Sequence, residues 1–314
     1  MKTTSVTAAD LAVSVFAVPP LARYSDLTLN EDANRQLIGY LEAGGVRSLM
    51  YGGNANFYNI SVGEYAEVLD FLVDAVGPDT WLIPSFGPDY GKLIDQARIL
   101  RGSKVPTAMA LPMTFPATSE GIETGLRRAA VTMGKPIILY IKSDNYIAPE
   151  AAGRLVAEGM VCAVKYGTVR TDPAQDDYLK KLLDHVEARL VISGIGERPA
   201  ITHLRQFGLG GFTSGSVCVA PRGSMALLQA IKRGDWAAAE RLREAYLPLE
   251  DLRDGISPIR TLHDAVTLAG IADMGPMLPL MTGLNVAERQ RVAPAAQALR
   301  AWDADLEGAA RAAE

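Results

Sequence analysis

The sequence alternates between short apolar or small-residue runs and longer stretches with the period of an amphipathic helix. Breaks rich in glycine, proline or asparagine separate the two kinds of segment. A short apolar run predicts a strand buried on both faces, and regular alternation with helices predicts that the strands are parallel. Eight runs carry this pattern, at residues 12–18, 46–51, 80–86, 106–113, 136–141, 161–166, 190–195 and 210–216.

Eight is the number of strands that closes a parallel barrel. An open doubly wound sheet is the alternative fold, but the first turn between strand and helix lacks a G-x-G-x-x-G sequence. The connections are short: a capping box of Ser61 and Glu64 opens a helix that Gly77 ends, and Gly159 lies two residues before the start of the sixth run. We therefore predict an α/β protein with a (β/α)8 TIM barrel.

Four further segments of helical period follow the eighth run, which is more than one barrel unit requires. The barrel is accordingly expected to end near residue 233. Residues 234–314 are predicted to form a C-terminal helical subdomain packed on it.

Charge and composition limit the possible partners. The formal net charge is -5 and the isoelectric point is about 5.4, so the chain offers no basic face for nucleic acid. The first residues lack the sustained apolar stretch of a secretory signal, and no later segment resembles a membrane span. We expect a cytoplasmic protein without nucleic-acid or membrane partners.

Cysteine and histidine usage gives no indication of a metal or a disulfide. Cys162 and Cys218 both lie in apolar or small-residue runs that resemble strands, where a buried free thiol is the usual state. His185, His203 and His263 lie on separate predicted helices without the spacing of metal ligands. We predict no metal site and no cofactor.

The sixth run closes with a lysine, Lys165, after four residues without charge. In a parallel barrel the catalytic groups stand at the carboxyl ends of the strands. Burial lowers the pKa of a lysine, and a neutral amine can attack a carbonyl carbon. Tyr140, near the end of the neighbouring fifth run, is expected at the same level, where its phenol can move protons.

These two residues suit Schiff-base chemistry on a 2-oxo acid, in which the iminium withdraws electrons from the adjoining carbon chain. The alternative is that Lys165 extends from a strand end into water and Tyr140 packs beneath a loop. In that case the barrel would be a non-catalytic ligand-binding or regulatory protein.

A family resemblance bears on this choice. The segments ILYIKSD, CAVKYGT, VISGIGE, LGGFTSGSVCVAP, SPIRTLHDAVTLAGI and PMLPLMTGL occur in this order. In order and spacing they resemble the family of 4-hydroxy-tetrahydrodipicolinate synthase and N-acetylneuraminate lyase. The resemblance spans nearly the whole chain and implies a class I lyase that acts on pyruvate or a related 2-oxo acid.

The resemblance also implies roles for particular residues. Lys165 matches the Schiff-base lysine of the family, and Tyr140 matches its proton-relaying tyrosine. Gly53 and Asn54 match the two hydroxyl positions of the loop that holds the carboxylate of the oxo acid. Thr213 matches a position whose backbone faces the bound oxo acid.

Three departures argue against the lysine-biosynthetic synthase activity itself. Gly53 lacks a hydroxyl of the proton relay, and Thr114 stands where the synthase has a second tyrosine, donated by a neighbouring subunit. Asn145 stands where the synthase has an arginine that holds the carboxylate of its aldehyde substrate. We expect Thr114 and Asn145 to contact the substrate instead.

The predicted mouth is lined by uncharged polar or aromatic groups, which suit a sugar-derived or aromatic 2-oxo acid. They are Tyr51, Asn54, Asn56, Tyr58, Thr114, Asn145 and Tyr166. Aldol cleavage, condensation and dehydration all remain open at this point. The resemblance implies a homotetramer built from two dimers, and a homodimer is the alternative assembly.

Overall fold

A computed structural model describes residues 1–312, including all of their side chains except those of 307 and 309–312. Eight parallel strands form a closed barrel in chain order, with each strand hydrogen-bonded to the next and β8 to β1. The predicted (β/α)8 barrel is confirmed, and the open sheet is excluded because β1 and β8 pair.

Each strand lies within the segment predicted for it. The strands are β1 Phe16–Ala17, β2 Ser48–Tyr51, β3 Trp81–Phe86, β4 Met109–Ala110, β5 Ile137–Ile141, β6 Val161–Tyr166, β7 Val191–Ser193 and β8 Gly211–Ser214. The first strand is shorter than predicted because Ala8–Leu11 form a helical turn, α1, and Val13 is exposed.

Helices surround the barrel and continue beyond it. The barrel helices are α2 Glu31–Ala43, α3 Val62–Ala75, α4 Tyr90–Gly102, α5 Ser119–Met133, α6 Pro149–Ala157, α7 Asp177–Leu183, α8 Ala200–Gln206 and α9 Pro221–Arg233. Four more follow: α10 Trp236–Glu244, α11 Leu247–Ile256, α12 Pro258–Leu268 and α13 Val286–Ala312.

Local sequence explains where these helices begin and end. Ser61 accepts a hydrogen bond from the Glu64 N–H at the start of α3, as the capping sequence predicts. Thr118 caps α5 in the same way, and Gly134 ends it in the left-handed conformation that glycine adopts without strain. The apolar face of α3, including Val68, is buried against the barrel.

The register between β5 and β6 sets the geometry of the barrel mouth. Tyr140 pairs with Lys165, so the prediction that the two stand at the same level is confirmed. The strand does not close at the lysine, however, because Tyr166 continues the ladder with Ile141 and Ser193. Successive strand residues point to opposite faces, so Lys165 points into the barrel and Tyr166 points away from it.

The helices after the barrel share its hydrophobic core. Leu249 of α11, Ala265 of α12 and Val292 of α13 are buried in one cluster with the residues of the strands. Residues 258–262 of α12 also reach the barrel mouth. The boundary between residues 233 and 234 stays a prediction. Within residues 1–312, no helix combines the length and apolar character needed to cross a membrane.

Candidate active site

A cavity of about 170 Å³ opens at the carboxyl ends of the strands. Its floor includes Lys165 and Tyr140, and α11 and α12 close one side. The lining residues are Val18, Gly52, Gly53, Asn54, Tyr58, Met109, Tyr140, Lys142, Lys165, Gly167, Val169, Gly194, Ile195, Gly196, Thr213, Gly215, Arg253, Asp254, Pro258, Ile259 and Leu262. Five of the seven predicted site residues thus line one cavity: Lys165, Tyr140, Gly53, Asn54 and Thr213.

Lys165 is a buried amine, with 6% of the residue exposed. Burial lowers its pKa to about 7, and the positive charge of Lys142 contributes. Among the described residues, no carboxylate lies close enough to form an ion pair with it. Burial outweighs the attraction of the Tyr140 ring face for the charged form, so a large fraction of Lys165 is a neutral nucleophile near neutral pH.

Tyr140 lies directly beside this amine. The Lys165 Nζ is 4.5 Å from the centroid of the Tyr140 ring. Burial raises the pKa of Tyr140 to about 12, so the phenol stays protonated at neutral pH and is a proton donor. Gly167 makes room for the ring, since a Cβ there would lie 2.8 Å from the Tyr140 Cε2.

The loop after β2 brings two backbone N–H groups to the cavity. Neither the Gly53 nor the Asn54 N–H has an acceptor among the hydrogen bonds of residues 1–312. The Asn54 side chain donates to the Val18 carbonyl over 3.0 Å, so this amide nitrogen is engaged within the protein. Free N–H groups in a loop are suited to a carboxylate.

Thr213 contributes backbone to the cavity from β8, which is separated from β2 by β1 alone. It is almost fully buried on β8, and its carbonyl accepts a hydrogen bond of 3.0 Å from the Gly196 N–H. This bond ties the loop after β7 to β8 at the level of the cavity.

Thr114 and Asn145 are not brought to this cavity. Both lie on exposed loops, after β4 and after β5, and neither contributes to the lining. Their contact with substrate stays a prediction that this arrangement does not support.

Three aromatic or polar residues predicted at the mouth lie elsewhere. Tyr166 is buried outside the barrel and donates to Asp176 over 2.6 Å. Tyr51 is fully buried and lies outside the lining, while the Asn56 amide donates to the Leu278 carbonyl over 3.1 Å. Tyr58 does line the cavity.

Sequence reasoning missed the charged part of the lining. Lys142, Arg253 and Asp254 all line the cavity, beside the uncharged groups Asn54 and Tyr58 that were expected there. Arg253 and Asp254 lie on α11, which the sequence predicted only as one of the helical segments after the barrel. Nothing in the order of residues signals that α11 folds back over the mouth.

The remaining candidate ligands have structural partners. The His203 ring is 2.8 Å from the Ser193 Oγ, and the His263 ring is 2.9 Å from the Gly275 carbonyl oxygen. Cys162 and Cys218 are free thiols. Across residues 1–312 there is no group of three or more histidine, cysteine or acidic side chains placed to hold a metal ion.

Known proteins are similar to this chain over most of its length. The model of the dihydrodipicolinate synthetase family matches residues 12–299. The chain belongs to this family. The chain is 25% identical to the 4-hydroxy-tetrahydrodipicolinate synthase of Ectopseudomonas mendocina, with 80% of this chain and 86% of that protein covered.

Another curated relative of this family member is named a probable 5-dehydro-4-deoxyglucarate dehydratase, from Saccharopolyspora erythraea. It is 24% identical, over 78% of this chain and 79% of the relative. These two relatives are named for different reactions, and their sequence identities to this chain are nearly equal.

Solved structures of the family share the fold. The dihydrodipicolinate synthase of Oceanobacillus iheyensis superposes with a TM-score of 0.80 at 19% identity, covering 95% of this chain and 99% of that one. YagE is a prophage protein of the same family from E. coli K12, and its structure was solved in complex with pyruvate. It superposes with a TM-score of 0.80 at 17% identity, covering 92% of this chain and 98% of YagE.

Proposed function

We propose that this family member is a Schiff-base-forming lyase that acts on pyruvate or a related, sugar-derived 2-oxo acid. The observation that carries the proposal is the buried amine of Lys165 beside the phenol of Tyr140. The amine has a pKa of about 7 and the phenol one of about 12, which makes them a nucleophile and a proton donor at the same pH.

The first step is attack of the neutral Lys165 amine on the ketone carbon of the oxo acid. The carbonyl oxygen takes a proton, and the resulting carbinolamine loses water to give a protonated imine. Tyr140 is placed to supply the proton to the departing oxygen, because its ring lies against the Lys165 side chain.

The carboxylate of the oxo acid is assigned to the loop after β2. Its oxygens would accept hydrogen bonds from the Gly53 and Asn54 N–H groups, which have no acceptor within the described chain. Hydrogen bonds to an ionised acceptor are stronger than those between neutral groups, so this contact would orient the ketone towards Lys165.

The iminium then draws electrons from the neighbouring carbon. In aldol cleavage the β-hydroxyl group loses its proton, the bond between the α and β carbons breaks, and its electron pair forms the enamine while the other fragment leaves as an aldehyde. In dehydration the α carbon first loses a proton to give the enamine, and the β-hydroxyl group then takes up a proton and leaves as water. An enamine or a conjugated imine results, and hydrolysis returns the free lysine. The sugar-derived substrate class is supported by the dehydratase relative, which is named for a sugar acid.

Reductive trapping tests the proposal. The protein is incubated with pyruvate and cyanoborohydride and digested, and mass spectrometry locates the reduced adduct. We expect the adduct on Lys165 and none in Lys165→Ala. Lys142→Ala serves as the matched control, because it removes the neighbouring lysine at the same mouth and leaves the nucleophile. A folded protein without adduct would point to the non-catalytic alternative.

We also propose that the protein assembles as a homotetramer or a homodimer. An apolar cavity of about 940 Å³ lies on the outer surface between α4, α5 and the loop after β4, and Leu93, Met113, Phe115 and Leu126 help to line it. Phe115 is 85% exposed. An exposed aromatic ring beside an apolar cavity on the same face suits association with a second copy of the chain.

A further inference from the structure

Tyr58 brings a second phenol to the active-site cavity. Among the lining residues that the structure describes, Tyr58 and Tyr140 are the two tyrosines. Neither hydroxyl has a hydrogen-bond partner within residues 1–312, and both retain accessible surface, unlike the unpaired hydroxyl of Tyr51. Three other buried tyrosines each donate to a backbone carbonyl, namely Tyr65, Tyr178 and Tyr246. An accessible phenol left unpaired at a cavity is available for proton transfer.

The ring of Tyr58 lies against Gly53. A Cβ at Gly53 would be 3.5 Å from the Tyr58 Cε2 and 3.7 Å from the Ile259 Cδ1. A longer side chain at position 53 would therefore compete with the Tyr58 ring for the same space. Gly53 has no hydroxyl of its own, and its small size leaves room for the phenol of Tyr58 at the cavity.

The loop after β2 holds Tyr58 in a defined position. Lys92 of α4 donates to the Phe57 and Tyr58 carbonyls over 3.3 and 3.0 Å. The Asn56 amide ties the same loop to the Leu278 carbonyl over 3.1 Å. The backbone that carries the Tyr58 ring is thus fixed by two separate parts of the chain.

Tyr58 and Tyr140 are close enough for a charge on one to act on the other. Burial raises the pKa of Tyr58 well above its usual value, and negative charge on Tyr140 or Tyr146 raises it further. The pKa of Tyr140 is raised by burial to about 12. Neither phenol of the cavity therefore rests as a phenolate at neutral pH, so each gives up one proton only as it takes another.

We propose that Tyr58 relays protons between Tyr140 and the solution, so that the acid–base route of the site is complete within one subunit. This inference rests on the proposed Schiff-base function, because that function requires protons to reach and leave Tyr140. Tyr58 acts through Tyr140 and does not touch the reacting carbon. The two hydroxyls are not hydrogen-bonded to each other in the described chain, so one bridging water molecule carries the proton between them.

Hydrogen exchange on bound pyruvate shows how the relay balances. Tyr140 gives its proton to the departing water, and the resulting phenolate takes a proton from the methyl group of the iminium. The electron pair of that C–H bond forms the enamine. Tyr140 passes the proton towards Tyr58 as Tyr58 releases its own proton to a base of the buffer. In D₂O a deuteron returns along the same route to the methyl carbon, whereas without the relay the original proton goes back to the carbon.

Tyr58→Phe tests the relay, because it removes the hydroxyl and keeps the ring. Exchange at the methyl group of pyruvate is followed by NMR in D₂O, and cyanoborohydride trapping gives the pyruvate concentration for half-saturation. We expect exchange at saturating pyruvate to slow at least about tenfold, with half-saturation within about twofold of the unaltered protein. Tyr24→Phe, at a half-exposed tyrosine outside the cavity lining, is the matched control and should change neither value.

Chemical rescue distinguishes a relay from a structural role. Imidazole in the buffer can carry the proton that Tyr58→Phe no longer carries. Exchange in this variant should therefore increase with imidazole concentration, while exchange in the unaltered protein should change little. A slowed variant that does not respond to imidazole would have a distorted cavity instead, and the relay would be refuted.

A double variant shows whether Tyr58 acts through Tyr140. Exchange with Tyr58→Phe and Tyr140→Phe combined should be no slower than with Tyr140→Phe alone, because residues that act as one unit are not additive. A rate reduced by the product of the two single effects would show an independent role and refute the proposal.

Two outcomes separate the relay from its basis. Absence of an adduct between pyruvate and the unaltered protein would reject the Schiff-base function and, with it, this inference. An adduct together with an unchanged exchange rate in Tyr58→Phe would reject the relay alone.

Discussion

Replacing Lys165 by methionine should stabilise the fold while abolishing adduct formation. The amine is buried, and its pKa falls from 10.5 to about 7 on folding. The unfolded chain therefore binds more protons than the folded chain between these two pH values. A lowered lysine pKa is a cost to folding, and methionine fills a similar volume without a charge to desolvate.

The size of the effect follows from proton linkage. At pH 7 the shift corresponds to a destabilisation of about 4 kcal/mol by the wild-type lysine. At pH 9.5 the lysine is neutral in the folded chain and still mostly charged in the unfolded chain, and the cost falls to about 1 kcal/mol. The free energy of unfolding of the wild type should accordingly rise with pH through this window relative to the variant.

Urea unfolding of both proteins at pH 7 and pH 9.5 measures this difference. Lys165→Met should be more stable by up to about 4 kcal/mol at pH 7, and the gap should narrow at pH 9.5. Lys180→Met, on an exposed part of α7, is the control and should change stability by less than about 0.5 kcal/mol at either pH. A gap that does not change with pH would refute the argument that Lys165 is desolvated.

Three other outcomes are expected. The yield of the pyruvate adduct should increase as the pH rises through about 7. Lys142→Gln should move the midpoint of this increase to higher pH, because the substitution removes a positive charge that lowers the Lys165 pKa. A pH series of adduct yield by mass spectrometry checks both. Tyr140→Phe should slow proton exchange at the methyl group of pyruvate by about 10²- to 10⁴-fold, measured by NMR in D₂O, and an unchanged rate would remove Tyr140 from the proton relay. Phe115→Ser should lower the mass in light scattering at a fixed concentration, whereas an unchanged oligomer would place the interface elsewhere.

The order of apolar and helical segments was enough to predict the barrel. Eight runs, short connections and additional helices after the eighth run indicated this architecture, because burial on both faces and closure of eight strands leave few alternatives. The register of β5 against β6 followed from the same pattern, and with it the proximity of Tyr140 and Lys165.

The cavity itself was predicted only in part. Lys165 and Tyr140 were expected at the mouth because barrel geometry fixes where strand ends point, whereas Gly53, Asn54 and Thr213 came from the family resemblance, and all five line the cavity. Thr114, Asn145 and Tyr166 were not brought to the cavity. Thr114 and Asn145 are exposed on the loops after β4 and β5, and alternation along β6 turns Tyr166 away from the neighbouring lysine.

The sequence alone determined the barrel and its lysine–tyrosine pair, because strand periodicity is a local property that carries directly into three dimensions. Only the tertiary structure decided the charged rim. Arg253 is 88 residues from Lys165 along the chain, and it reaches the same cavity because α11 packs back over the loop after β7. Contacts of this kind depend on how the helices pack against the barrel. No local sequence pattern specifies that packing, because it is set by the complete fold.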